Sequence, residues 1–129
     1  MAVTISRHVL DTILAAAAVE PAREVCGLLF GGPDTIAAAA PAANVSPAPA
    51  DSFEVDPAAL FAAMRAERAG GPTLVGHYHS HPNGQPEPSP RDAAAAEPGR
   101  LWLIVAGSEA RLWLAGQGGT FAPIPLKPA

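Results

Sequence analysis

Cysteine is nearly missing from this chain: Cys26 is the only one, which rules out an intramolecular disulfide and any zinc ribbon built from cysteine pairs. Cations are also scarce, with 8 Lys and Arg against 12 Asp and Glu and a net charge of -4, a balance that does not suit a binder of phosphate backbones. No run approaches the roughly 18 unbroken apolar residues that a membrane helix needs. Large apolar side chains are few as well. Although 49% of the chain is hydrophobic, 29 residues are alanine, which leaves about a quarter of the chain to fill a core. Alanine removes little area from water, so that core must be small and closely packed. A chain of 129 residues suits one compact domain, 1–129. What it has in quantity is proline and glycine, 15 and 12, and these fall mostly between periodic segments, where they punctuate a fold.

Val9, Leu10, Ile13, Leu14 and Ala17 repeat at the spacing of one helical face, with Ser6 placed as an N-cap and Pro21 beyond the end. The spacing predicts an amphipathic helix over 7–18. The same stretch has some likeness to a signal peptide, but Asp11 interrupts it, and Arg7 and His8 make only a weak basic start. The expected location is therefore the cytoplasm. Residues 24–31 form a near-continuous apolar run closed by Gly31, Gly32 and Pro33, which reads as a buried strand. Further strands are expected over 35–43, 53–55, 73–79, 101–106 and 110–115, with another near Phe121. Asp56 and Pro57 open a second helix with Leu60, Phe61 and Met64 on its stripe, stopped by Gly70 and Gly71. Ser89 opens a short third helix through Ala96. Intermixed strands and helices with hairpin-like pairs imply the α/β class, a mixed β-sheet flanked by helices.

The densest chemistry lies at His77-Tyr78-His79-Ser80-His81-Pro82, followed by Ser89-Pro90-Arg91-Asp92. Residues two apart on an extended segment point to the same side, so His79 and His81 can share one ion. Asp92 follows His81 after ten intervening residues, enough for a loop to return a carboxylate to the same point. Two imidazoles and one carboxylate leave a tetrahedral position open for water, the pattern of a catalytic zinc site. Other duties fit the same residues. Three clustered histidines can be a surface loop, and Ser89 with Asp92 is a capping-box helix start. His77 shares the alternation and is either a third imidazole donor or part of the lining. Cys26, Trp102 and Trp113 read as core.

The segment from Gly76 through Pro82 and on to Pro88-Ser89-Pro90-Arg91-Asp92 resembles the signature of JAMM-type metalloproteases, the MPN-plus domains, in which His-Ser-His-Pro precedes Ser-x-x-Asp. Pro21 through Gly31, with Glu24, Cys26-Gly27 and Leu28-Leu29, is similar to a second element of that family. Asn44, Pro49, Phe53 and Asp56-Pro57 match a third. Together these elements span roughly residues 3–115.

The resemblance implies the JAMM α/β/α architecture, similar to that of cytidine deaminases, and Zn2+ as cofactor. It implies His79, His81 and Asp92 as metal ligands, Glu24 as general base and acid on the water, and Ser89 as hydrogen-bond donor to the oxyanion of the tetrahedral intermediate. It leaves His77 outside the metal shell and gives Ser80 the shaping of the turn. One hydroxyl is expected to divide itself between capping the helix and serving the oxyanion, so one of Ser89's roles must weaken. The implied reaction is amide hydrolysis, with a ubiquitin-like or sulfur-carrier protein tail as substrate, as in small stand-alone bacterial relatives. A strand edge next to the metal is the expected seat for that tail. A non-catalytic MPN-type scaffold and a zinc hydrolase of another small amide are the alternative readings. A deaminase would need H-x-E and P-C-x-x-C, and the chain has neither.

Overall fold

The computed structural model describes residues 1–129. In chain order its elements are β1 (Val3–Ile5), α1 (Arg7–Ala18), β2 (Cys26–Gly32), β3 (Thr35–Ala42), α2 (Pro57–Arg68), β4 (Leu74–Ser80), α3 (Pro90–Ala95), β5 (Leu101–Ala106), β6 (Glu109–Ala115), β7 (Phe121–Ile124) and β8 (Leu126–Pro128). One mixed eight-stranded sheet runs in the order β7-β6-β5-β4-β2-β3-β1-β8. The pairs β4–β5, β1–β3 and β1–β8 are parallel and the others antiparallel. This is the mixed sheet with flanking helices that the sequence implies, and β4, the histidine strand, lies in its middle.

Local chemistry explains the element ends. Ser6 caps α1, its Oγ accepting from the Val9 N–H, and the stripe seats Leu10 and Ile13 in the core. Asp56 caps α2 by accepting from the Ala58 N–H at 3.0 Å, and Pro57 occupies the first turn. The β5–β6 hairpin turns through Gly107, whose φ of 60° supplies a left-handed position that a larger residue resists. On the α1 side of the sheet, Val3, Ile5, Leu29, Ile36, Leu101, Leu103, Val105 and Leu112 join Leu10, Ile13 and Tyr78 in one mainly aliphatic cluster. Close approach replaces bulk where alanine and glycine dominate: a Cβ at Gly27 would overlap the Tyr78 ring.

Three expectations need correction. Residues 53–55 form no strand, only an isolated bridge between Asn44 and Val55, because the Asn44 side chain takes the backbone N–H of Glu54. The strand expected from residue 24 starts at Cys26, since the Glu24 N–H and C=O are held by Pro49 and Asn44 in the neighbouring loop. Strands β1 and β8 are additions, each of 3 residues. Pro125 alone separates β7 from β8, yet these stand at opposite ends of the strand order. The sheet therefore coils until its two margins are joined by one residue.

Candidate metal centre

The centre forms where β4 ends. His79, directly paired with Cys26 on β2 and Ile104 on β5, is fully buried, and His81 leaves the strand with its N–H bonded to the Val105 carbonyl at 2.9 Å. Between them Ser80 faces away and clips to Val25: its N–H donates to the Val25 carbonyl at 3.0 Å and its Oγ accepts from the Val25 N–H at 2.9 Å. That reciprocal pair fixes the segment bearing Glu24 against the strand bearing His79. The turn-shaping expected of Ser80 is thus a cross-strand clip.

Asp92 comes from the first turn of α3. Ser89 and Asp92 make a complete capping box, with the Ser89 Oγ accepting from the Asp92 N–H at 3.1 Å and Asp92 Oδ2 accepting from the Ser89 N–H at 2.9 Å. The capping bond uses a lone pair of the Ser89 hydroxyl and leaves its proton free to donate elsewhere. The expected competition between the two roles of Ser89 therefore does not arise.

Three atoms converge. His79 Nε2 and His81 Nε2 lie 3.0 Å apart, and Asp92 Oδ2 lies 3.3 Å from the first and 3.1 Å from the second. Ligands at zinc bond lengths in a tetrahedron stand ~3.3 Å from each other. His81 Nδ1 donates to the Gln85 carbonyl at 2.8 Å, so its Nε2 presents a lone pair to the convergence point. Lone pairs that close repel unless a proton or cation stands between them. Two carboxylates face the imidazoles: Asp92 at these short distances, and buried Glu24, which with His79 and His81 forms a set of donor atoms within 4.8 Å. Glu24 Oε1 is buried with no hydrogen-bond partner, and the donor set is compatible with zinc.

The electrostatics follow from burial. Burial pushes the Glu24 carboxyl from 4.5 up to about 7, with His81 pulling it down and Asp92 pushing it further up. Burial also acts against the Asp92 carboxylate, but its bonds to His79 and His81 outweigh that and hold it far below the usual range. His79 is lowered by burial, partly offset by Asp92. For His81 burial pulls down, while Asp92, the Gln85 carbonyl and Glu24 together carry it upward. Cys26 is core, as expected, and burial raises its thiol to about 11.

His77 lies outside the convergence. Its ring packs edge-on to Trp102 with centroids 4.3 Å apart, and burial lowers it to about 3. Trp102 is core, whereas Trp113 is only half-buried and donates from Nε1 to the Pro86 carbonyl at 3.1 Å, pinning the loop after His81. Strand β4 itself offers no free edge to a tail, because it is paired on both sides, with β2 and β5. Residue-by-residue reading missed the surroundings of His79 and Glu24. Asn44 Nδ2 donates to the Glu24 carbonyl at 2.9 Å and the Ser52 carbonyl at 3.1 Å, while its Oδ1 accepts from Glu54 at 3.1 Å. One side chain thus ties down the Glu24 backbone and both flanks of Phe53, whose ring stacks on His79 at 4.2 Å. The only sequence signal for this group was the Asn44–Phe53 element of the family resemblance.

The sequence profile described as prokaryotic homologs of the JAB domain matches residues 6–116. A desampylase of Haloferax volcanii is 41% identical over 101 residues, which cover 73% of each chain. A probable TtuB-protein conjugate cleaving protease of Thermus thermophilus is 32% identical over 122 residues, covering 95% of this chain and 82% of that one. A solved protein of Desulfitobacterium hafniense superposes with a TM-score of 0.76 at 28% identity, covering 98% of this chain and 94% of its own.

Proposed function

The chain belongs to the prokaryotic homologs of the JAB domain, and from that premise we propose that it is a zinc-dependent peptidase or isopeptidase of the JAMM type. Its substrate class is ubiquitin-like protein conjugates, in keeping with the desampylase and the conjugate-cleaving protease it is similar to. The finer reading is hydrolysis of the amide bond that follows the C-terminus of a ubiquitin-like sulfur-carrier protein, in the cytoplasm. The observation that carries the proposal is the convergence of His79 Nε2, His81 Nε2 and Asp92 Oδ2 within 3.0 to 3.3 Å beside a buried, unpartnered Glu24.

In this reading His79, His81 and Asp92 hold the ion. Zinc bound there would supply Lewis-acid chemistry and bring the pKa of water toward neutral. Glu24, whose carboxyl burial pushes upward, takes the proton of the attacking water and returns it to the leaving amine. Its backbone, fixed by Pro49 and Asn44, keeps the carboxylate at the imidazoles. The free proton of Ser89 donates to the developing oxyanion, a contribution of about 3 kcal/mol for one such donor.

The test is incubation of the zinc-loaded protein with ubiquitin-like sulfur-carrier proteins, one set carrying C-terminal extensions and one joined to a lysine side chain, read by intact mass. Release of the unmodified carrier protein from either set is expected. No cleavage in either set with zinc bound would reject the proposal in favour of another amide or a binding scaffold.

A further inference from the structure

The two imidazoles at the convergence point are held in different ways. His81 is oriented by a hydrogen bond from Nδ1 to the Gln85 carbonyl. A metal-binding histidine ordinarily makes such a bond from its distal nitrogen, and the bond fixes both ring orientation and tautomer. His79 has none: its Nδ1 is buried and has no hydrogen-bond partner in the protein. Its ring is gripped instead by aromatic surfaces. Phe53 stacks on it at a centroid distance of 4.2 Å and 19° between planes, and Trp102 meets it edge-on at 5.5 Å and 85°. Trp102 in turn contacts Phe53 edge-on at 5.7 Å, so the two rings brace each other.

We propose that Phe53, backed by Trp102, is the positioning residue for His79: an aromatic clamp on the imidazole face stands in for the missing hydrogen bond. The inference rests on the reading of His79 as a metal ligand and goes beyond it, to what holds that ligand in place. A stacked pair of this kind contributes energy beyond its buried area and restricts ring rotation. The clamp is itself anchored, because Asn44 bonds the carbonyl before Phe53 and the N–H after it. The same Asn44 amide holds the Glu24 backbone, so the ligand's clamp and the carboxylate share one anchor.

The experiment measures zinc affinity of the full chain by competition with a chelator, for wild type, Phe53→Leu and Phe53→Tyr, together with the absorption spectrum of the cobalt-substituted proteins. Phe53 is half-buried and sits outside the aliphatic cluster, so the metal-free thermal midpoint of the variants should stay close to wild type. Phe53→Leu is expected to lose about tenfold or more in zinc affinity, the range seen when a ligand's orienting partner is removed, and to change the cobalt spectrum. Phe53→Tyr keeps the ring and should restore both. A folded Phe53→Leu protein with wild-type affinity and spectrum would overturn the inference and leave the ligand reading intact. Wild type without stoichiometric zinc would overturn both. Should Phe53→Leu fail to fold, the His79 ring protons of wild type decide the matter: an upfield ring-current shift supports the clamp, and its absence rejects it.

Discussion

The two faces of the sheet do different work. Toward α1 the sheet presents mainly aliphatic side chains, joined by Tyr78, with Ile5, Leu29, Leu103 and Val105 fully buried against Leu10 and Ile13. The other face carries His77, His79, Phe53 and Trp102, and α2 on that side has no buried residue, with Phe61 57% exposed. Hydrophobic burial, the main favourable term in folding, is therefore concentrated on one side. Polar groups that cost free energy to bury are concentrated on the other. A chain poor in large apolar residues can carry a reactive site because it separates the two.

Substitutions on each face should separate stability from chemistry. Glu24→Gln should lower hydrolysis by about 100- to 10,000-fold, the usual worth of a general base, while zinc content holds; an active variant would remove Glu24 from that role. Leu103→Ala, on the aliphatic face, should cost about 2–5 kcal/mol through lost burial and the cavity left behind. Its midpoint should fall by about 10 °C, while the protein that remains folded keeps normal zinc affinity; a specific zinc defect would show that the faces are coupled.

The third comparison is in pH. In the metal-free protein Glu24 titrates at about 7 against an ordinary 4.5, chiefly from burial. The folded state thus keeps a proton that the unfolded chain releases between those values. Below pH 4.5 the residue costs nothing, and as pH rises to 7 it weakens the fold by up to roughly 2–3 kcal/mol. His77 and His79, both lowered, work in the opposite direction over part of the same range, but they are common to both proteins. Metal-free Glu24→Gln should therefore gain in midpoint over wild type between pH 5 and pH 8. A constant difference would show that Glu24 carries no burial penalty.

Much of this was legible in the sequence because its causes are local. Ser6 and Asp56 announce the helices that they cap, and the Ser89–Asp92 spacing gives both a helix start and a carboxylate. The interval from His79 to Asp92 places three donors together because β4 and α3 are joined by one loop. What was hidden depends on partners far along the chain. Strands β1 and β8 have 3 residues each and acquire meaning only by pairing with each other and with β3. The Phe53 segment has strand-like residues, but Asn44 captures its backbone. Ser80 lies 55 positions from Val25, and no spacing rule reveals that clip. Glu24 could be named only through the family resemblance, since nothing in its neighbours' identity marks its burial.

The junction at Pro125 has a consequence for solubility. Free sheet edges are templates for foreign strands, and proteins guard them with short strands, charge and proline. Here the two margins are β7, of 4 residues with Pro123 inside it, and β8, of 3 residues ending at Pro128 with Lys127 beside it. The coil that brings them together through one residue leaves no long ladder of unpaired amides on either side. With both margins short, proline-bearing and joined through one residue, the sheet offers little template for edge-to-edge pairing.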